Sequence, residues 1–96
     1  MILEPAQLRD LQISIGDRLF IQVSSWHLYL GDAGLAETLA IECSANLGQG
    51  ASIAARKGLE AVQVQIAGGS SSLPLSRLIP SGQIFDLEEI LDPYCR

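Results

Sequence analysis

The only histidine, the only tryptophan and one of the two tyrosines fall within five positions, Trp26-His27-Leu28-Tyr29-Leu30. An imidazole changes charge near neutral pH, and Trp and Tyr carry much of the binding energy of protein interfaces. Three uses are open to such a segment. It could be a partner-binding surface anchored by Trp26, His27 and Tyr29. It could line an apolar pocket where His27 contacts a small ligand or pigment. It could also hold an imidazole-assisted active site. The plainer alternative is a core element whose Trp, Tyr and His each find one internal hydrogen bond. Catalysis would need a Ser or Cys nucleophile and an acid behind His27. Asp17 follows Gly16, as turn chemistry would have it, and Asp32 suits a helix N-cap, so neither acid points to His27. Cys43 lies on an apolar ridge and reads as a small core residue. No catalytic residue is expected, and the chain is expected not to be an enzyme.

Other patterns carry less chemistry. Gly68-Gly69-Ser70 lacks the Gly-Lys-Ser/Thr ending of a phosphate loop and sits between two strand-like segments, so a hairpin turn is expected there. The acidic run Asp86 to Asp92 lacks the spacing of a calcium loop. It reads as a solvated helix face, or as the charged part of a surface for a basic partner. Cys43 and Cys95 are far apart, with no CxxC and a single His, which speaks against a disulfide scaffold or a zinc site. No metal and no cofactor are expected. Met1-Ile2-Leu3-Glu4-Pro5 has no basic lead-in, so no signal peptide is expected. The apolar stretch Leu19 to Leu30 is too short and too polar to span a bilayer. Together these place the chain in a reducing cytoplasm.

Spacing predicts the scaffold around these residues. Pro5, Ala6, Leu8 and Leu11 open a helix. Leu19, Val23, Trp26 and Leu30 recur at helical spacing, and favour a helix–break–helix reading over a hairpin at Gly16-Asp17. Asp32 is expected to cap a helix with the ridge Leu35, Leu39, Cys43 and Leu47, closed by Gly48. Ser52 to Lys57 reads as a short helix weakened by Gly58. Val62 to Ile66 alternates as a strand and returns through Leu73-Pro74-Leu75, which Pro74 confines to an edge. A last, acidic helix spans Gln83 to Asp92, with Ile84, Leu87 and Leu91 inward, stopped by Pro93. The expected fold is one α+β domain over residues 1–96: three to four N-terminal helices, one β-hairpin and one C-terminal acidic helix.

Composition sets the outer bounds. The 96 residues are 48% hydrophobic, 18% charged and 5% aromatic, which excludes a solvated disordered chain and leaves aliphatic residues to build the core. A net charge of −5 argues against binding nucleic acid or an anionic membrane surface. A two-stranded hairpin and this apolar load in so small a domain favour a protein partner, with a homodimer as the expected form.

The chain resembles a small family of cyanobacterial proteins of unknown function. The resemblance rests on Ile15-Gly16-Asp17, on Trp26-His27-Leu28-Tyr29-Leu30 with Asp32-Ala33 and Leu35, and on Gly68-Gly69. It continues through Leu73-Pro74-Leu75, Leu78-Ile79-Pro80, and Asp86-Leu87 with Ile90-Leu91. Gln22, Ser24-Ser25 and the region Gln49 to Gly58 depart from the pattern. The resemblance transfers no catalytic motif; it implies a cytosolic photosynthetic cell and a role supporting photosynthetic or carbon-fixation machinery. Pterin carbinolamine dehydratases, and the Rubisco assembly factors that resemble them, carry paired histidines before a proline. Here His27 stands alone before Leu28, so that chemistry is not supported.

Overall fold

Pro5 has no amide hydrogen to lose in the first turn of a helix, and the Glu4 N–H donates to Gln7 Oε1 at 3.0 Å, so the chain enters a helix with its first orphan donors covered. In the computed structural model, which describes residues 3–23, 26–66 and 71–95 and, within these, leaves aside the side chains of Val23, Trp26, His27 and Ile66, this helix, α1, runs over Pro5–Arg18. It buries Leu11, Ile15 and Gly16 on one face and passes through Gly16-Asp17 without a turn.

After α1 the chain forms strands, which corrects the helix expected over Leu19 to Leu30. Phe20–Val23 (β1) and Trp26–Tyr29 (β2) pair antiparallel, with Phe20 opposite Tyr29 and Val23 opposite Trp26. Both readings fit the same residues for a geometric reason. In this register 19, 21 and 23 lie opposite 30, 28 and 26, so positions 19, 23, 26 and 30 share one side of a ribbon, just as they share one side of a helix. Phe, Ile, Val, Trp and Tyr within this short stretch tip the balance towards strand. Leu19 and Leu30 close the base, with no exposed surface, and the Leu30 N–H donates to Leu19 O at 2.9 Å.

Leu30–Ala33 forms a single turn, α2, which ends at Gly34 with φ of 74°, a left-handed conformation that favours glycine. Asp32 therefore lies inside α2, and the residue before α3 (Ala36–Ser44) is Leu35, which makes no side-chain cap. The expected cap at Asp32 is thus corrected. The end expected at Gly48 also moves. Ser44 Oγ donates to Ile41 O at 2.8 Å and Asn46 Nδ2 to Glu42 O at 3.0 Å, so polar side chains take the carbonyls left by the helix end. Leu47 remains buried on a 3-10 turn, Leu47–Gln49.

Helix α4, Ala51–Ala61, is longer than expected and runs through Gly58, which is buried. Gln63–Ile66 (β3) pairs antiparallel with Ser71–Pro74 (β4), Gln63 opposite Pro74 and Ile66 opposite Ser71. Gly68-Gly69-Ser70 lies outside the described residues; the pairing of its flanks has the geometry of a hairpin. The Leu75 N–H donates to Val62 O at 2.8 Å, which alternates Pro74 to the outer side of the ribbon, where its missing N–H costs no ladder bond. The final helix, α5, spans Gln83–Leu91 and buries Gln83, Leu87, Ile90 and Leu91. Pro93 does not end helical structure abruptly, because a 3-10 turn continues over Asp92–Cys95.

The α+β class stands, with two hairpins among the described residues where one was expected. One core joins α1, α3, α4 and α5 through Leu11, Ile15, Leu39, Cys43, Leu59, Leu87 and Leu91, all without exposed surface.

Candidate functional site

The two edges of the first hairpin are treated differently by the rest of the chain. On β1 the outward N–H of Phe20 donates to Gln83 Oε1 at 2.9 Å, and the outward N–H of Gln22 donates to Leu78 O at 3.0 Å. The segment from Leu78 to Gln83 thus covers that edge. Strand β2 has β1 as its single strand neighbour among the described residues. Since Leu30 bonds Leu19 across the ribbon, alternation turns the backbone N–H groups of positions 27 and 29 away from β1, while the Tyr29 carbonyl leads into the first turn of α2. A strand edge with no second strand neighbour is a template for one more strand.

The same strand carries apolar surface. Tyr29 is 46% exposed and Leu28 43%. The Tyr29 ring packs edge-to-face on Phe20, with centroids 5.7 Å apart at 66°, a geometry that holds the tyrosine in place without burying it. Trp26 and His27 lie on β2 opposite Val23 and Gln22; their side chains fall outside the described residues. As strand positions, 26 and 28 belong to one side of the ribbon and 27 and 29 to the other. The three residues singled out in the sequence are therefore one strand, but not one face. The pocket at His27, and its partnership with an acid, rest on a side chain outside the described residues.

The acids can be placed. Asp17 and Glu37 line a cleft of about 310 Å³ between α1 and the α2–α3 segment, with Gln12 beside them. Its floor is Gly16 against Gly31, where an added Cβ on Gly16 would stand 3.1 Å from Gly31 Cα. This close helix crossing was not anticipated, although Gly16 and Gly31 each flank an apolar run. Asp32 is exposed on α2 and is not among the residues lining that cleft. Cys43 is fully buried, and burial foremost, then the Glu42 carboxylate, pushes its thiol up to about 12. It is protonated at neutral pH and reads as packing, as its ridge position implies. The Cys95 thiol is also raised, by burial first and then by Asp92.

Sequence reasoning singled out the segment that becomes β2 but missed Leu78 and Gln83, which close the opposite edge of its hairpin. Gln83 is the one buried polar residue among those described, and its polar type within an apolar helix face was the available signal.

No described helix is long and apolar enough to cross a membrane. No curated protein and no solved structure matches the chain. A family model does match it, over residues 8–94, a span that takes in both hairpins and every helix apart from the first turn of α1. The chain belongs to the DUF3181 family, whose description is a protein of unknown function.

Proposed function

We propose that the chain is a non-catalytic protein–protein interaction module, an adaptor or assembly factor, acting in the cytoplasm. The observation that supports it is the asymmetry of the first hairpin. The β1 edge is closed by Gln83 and Leu78, while β2 has no second strand neighbour among the described residues and carries exposed Leu28 and Tyr29. A partner segment that adds a strand to β2 gains main-chain hydrogen bonds along the edge and specificity from the alternating side chains. Trp26, His27 and Tyr29 are its proposed contacts, with Leu28 added by its exposure. A role in photosynthetic or carbon-fixation machinery of cyanobacteria is supported by the resemblance alone.

A tagged copy used as bait in lysate of its native cells tests this, beside Tyr29→Ala and Leu28→Lys variants. Both positions are exposed, so circular dichroism should be unchanged. The expected result is a stoichiometric protein retained by the parent and lost from both variants, with slowed amide exchange at positions 27 and 29 in the reconstituted complex. A partner held equally by all three, or none held by any, overturns the reading.

A further inference from the structure

Helix α5 has finished its contribution to the core with Gln83, Leu87, Ile90 and Leu91, yet it carries Phe85 on the opposite side, 70% exposed. No other large apolar side chain among the described residues is as open. Phe85, Glu88, Glu89 and Asp92 line a shallow groove of about 530 Å³ with Ala51 and Pro93. Glu89 also meets Arg18 at 3.4 Å, whereas Glu88 is in no ion pair among the described residues. The neighbouring helix repeats this construction with the opposite sign. On α4, away from its buried Ala54, Ala55, Gly58 and Leu59, Ile53 is 38% exposed. It shares a second concavity, of about 310 Å³, with Arg56, Lys57 and Glu60. Lys57 Nζ donates to Gln49 Oε1 at 2.9 Å, and neither it nor Arg56 is in an ion pair among the described residues.

Each patch is an exposed apolar side chain flanked by charge, acidic on α5 and net basic on α4, where Glu60 offsets one of the two cations. From this complementarity we infer that a second copy of the chain is the occupant of both patches. Phe85 of one copy lies against Ile53 of the other, with Glu88 facing Arg56. Because each copy offers both patches on adjoining helices, the two contacts can form in one complex, and reciprocal pairing closes as a two-fold dimer. Opposite local charge sets the register, while the two apolar side chains supply buried area. The inference names a homodimer surface distinct from β2 and does not depend on the hairpin reading.

Analytical ultracentrifugation of the purified full chain tests it, from micromolar to hundreds of micromolar, at low and high salt. The expected result is a concentration-dependent dimer at high salt, where the repulsion between two copies of net charge −5 is screened. Phe85→Ser should leave a monomer throughout. Glu88→Lys and Arg56→Glu should each weaken dimerisation at least about tenfold, and the two together in one chain should restore it. All three positions lie away from the core, so unchanged circular dichroism separates loss of association from loss of fold. A parent that stays monomeric, a dimer indifferent to Phe85→Ser, or a double variant no better than the single ones overturns the inference. A dimer that instead responds to Leu28→Lys would overturn it by placing self-association on β2. Binding of a basic partner lost with Phe85→Ser, without dimerisation, would overturn it by assigning the α5 patch to another protein.

Discussion

Cys43 of α3 stands against Gly58 of α4, with no exposed surface. Its thiol is pushed up to about 12, because the thiolate would lose its hydration there, with Glu42 as the lesser cause. The consequence for stability has a definite sign. A group whose folded pKa exceeds its unfolded one holds its proton more firmly in the fold. Its contribution is complete below the ordinary thiol value near 9 and is lost as pH rises towards 12. Urea unfolding followed from pH 8 upward should therefore lose stability with a slope approaching about 1.4 kcal/mol per pH unit above pH 9. Cys43→Ala should start lower, for its cavity, but its alkaline slope should be shallower by about that amount. Equal slopes in both proteins would mean that another group governs the alkaline limb. The buried setting of Cys43 was legible in its i, i+4 spacing with Leu39 and Leu47. The exposure of Tyr29 was not, because an aromatic side chain on an apolar segment has the same sequence signature inside or outside the core.

At the scale of elements, the main surprise is Gly58. On sequence it weakens a short helix; in the structure it lets α3 and α4 touch. A Cβ added there would lie 2.5 Å from Cys43 Sγ, closer than real Cβ contacts come, and 3.3 Å from Leu39 Cδ1, which is tight. Gly58→Ala should destabilise by about 1–3 kcal/mol from overpacking, more than the roughly 0.5–1 kcal/mol gained in helix propensity. In a Cys43→Ala background the sulfur is gone, and the same substitution should cost close to nothing. A double-mutant cycle by urea unfolding measures this coupling; equal costs in both backgrounds would show that the sulfur is not what the glycine accommodates. Helices α3 and α5 and the β3–β4 hairpin were legible, since their apolar periods match one secondary structure each; the start of α1 was legible at Pro5, but Leu11, Ile13 and Ile15 also alternate as a strand would. The β1–β2 hairpin was not, since positions 19, 23, 26 and 30 satisfy both periods and only the paired register separates them.

Across the whole molecule, the contacts that shape the candidate surface are long-range. Phe20 and Gln83 are 63 residues apart, and their hydrogen bond at 2.9 Å ties α5 to β1 beside the Gln22–Leu78 bond. Arg18 adds an outer link from the end of α1 to α5, meeting Asp86 at 3.7 Å and Glu89 at 3.4 Å. These side chains are largely exposed, so that link is worth little in stability. Gln83→Leu should cost about 1–3 kcal/mol in urea unfolding, because it takes a hydrogen-bond acceptor from a partly buried amide, and should speed hydrogen exchange at Phe20. Unchanged exchange at Phe20 would mean that the bond does not close the β1 edge. The α+β class, the aliphatic core and the helices with a single unambiguous period could all be read from residue order. They follow from composition and local spacing, which act between near neighbours. Which hairpin edge a distant segment covers, where helices cross on glycine and which apolar side chains stay outside became visible only in the packed chain. Each depends on what a distant segment covers, and local spacing carries no record of a partner 63 residues away.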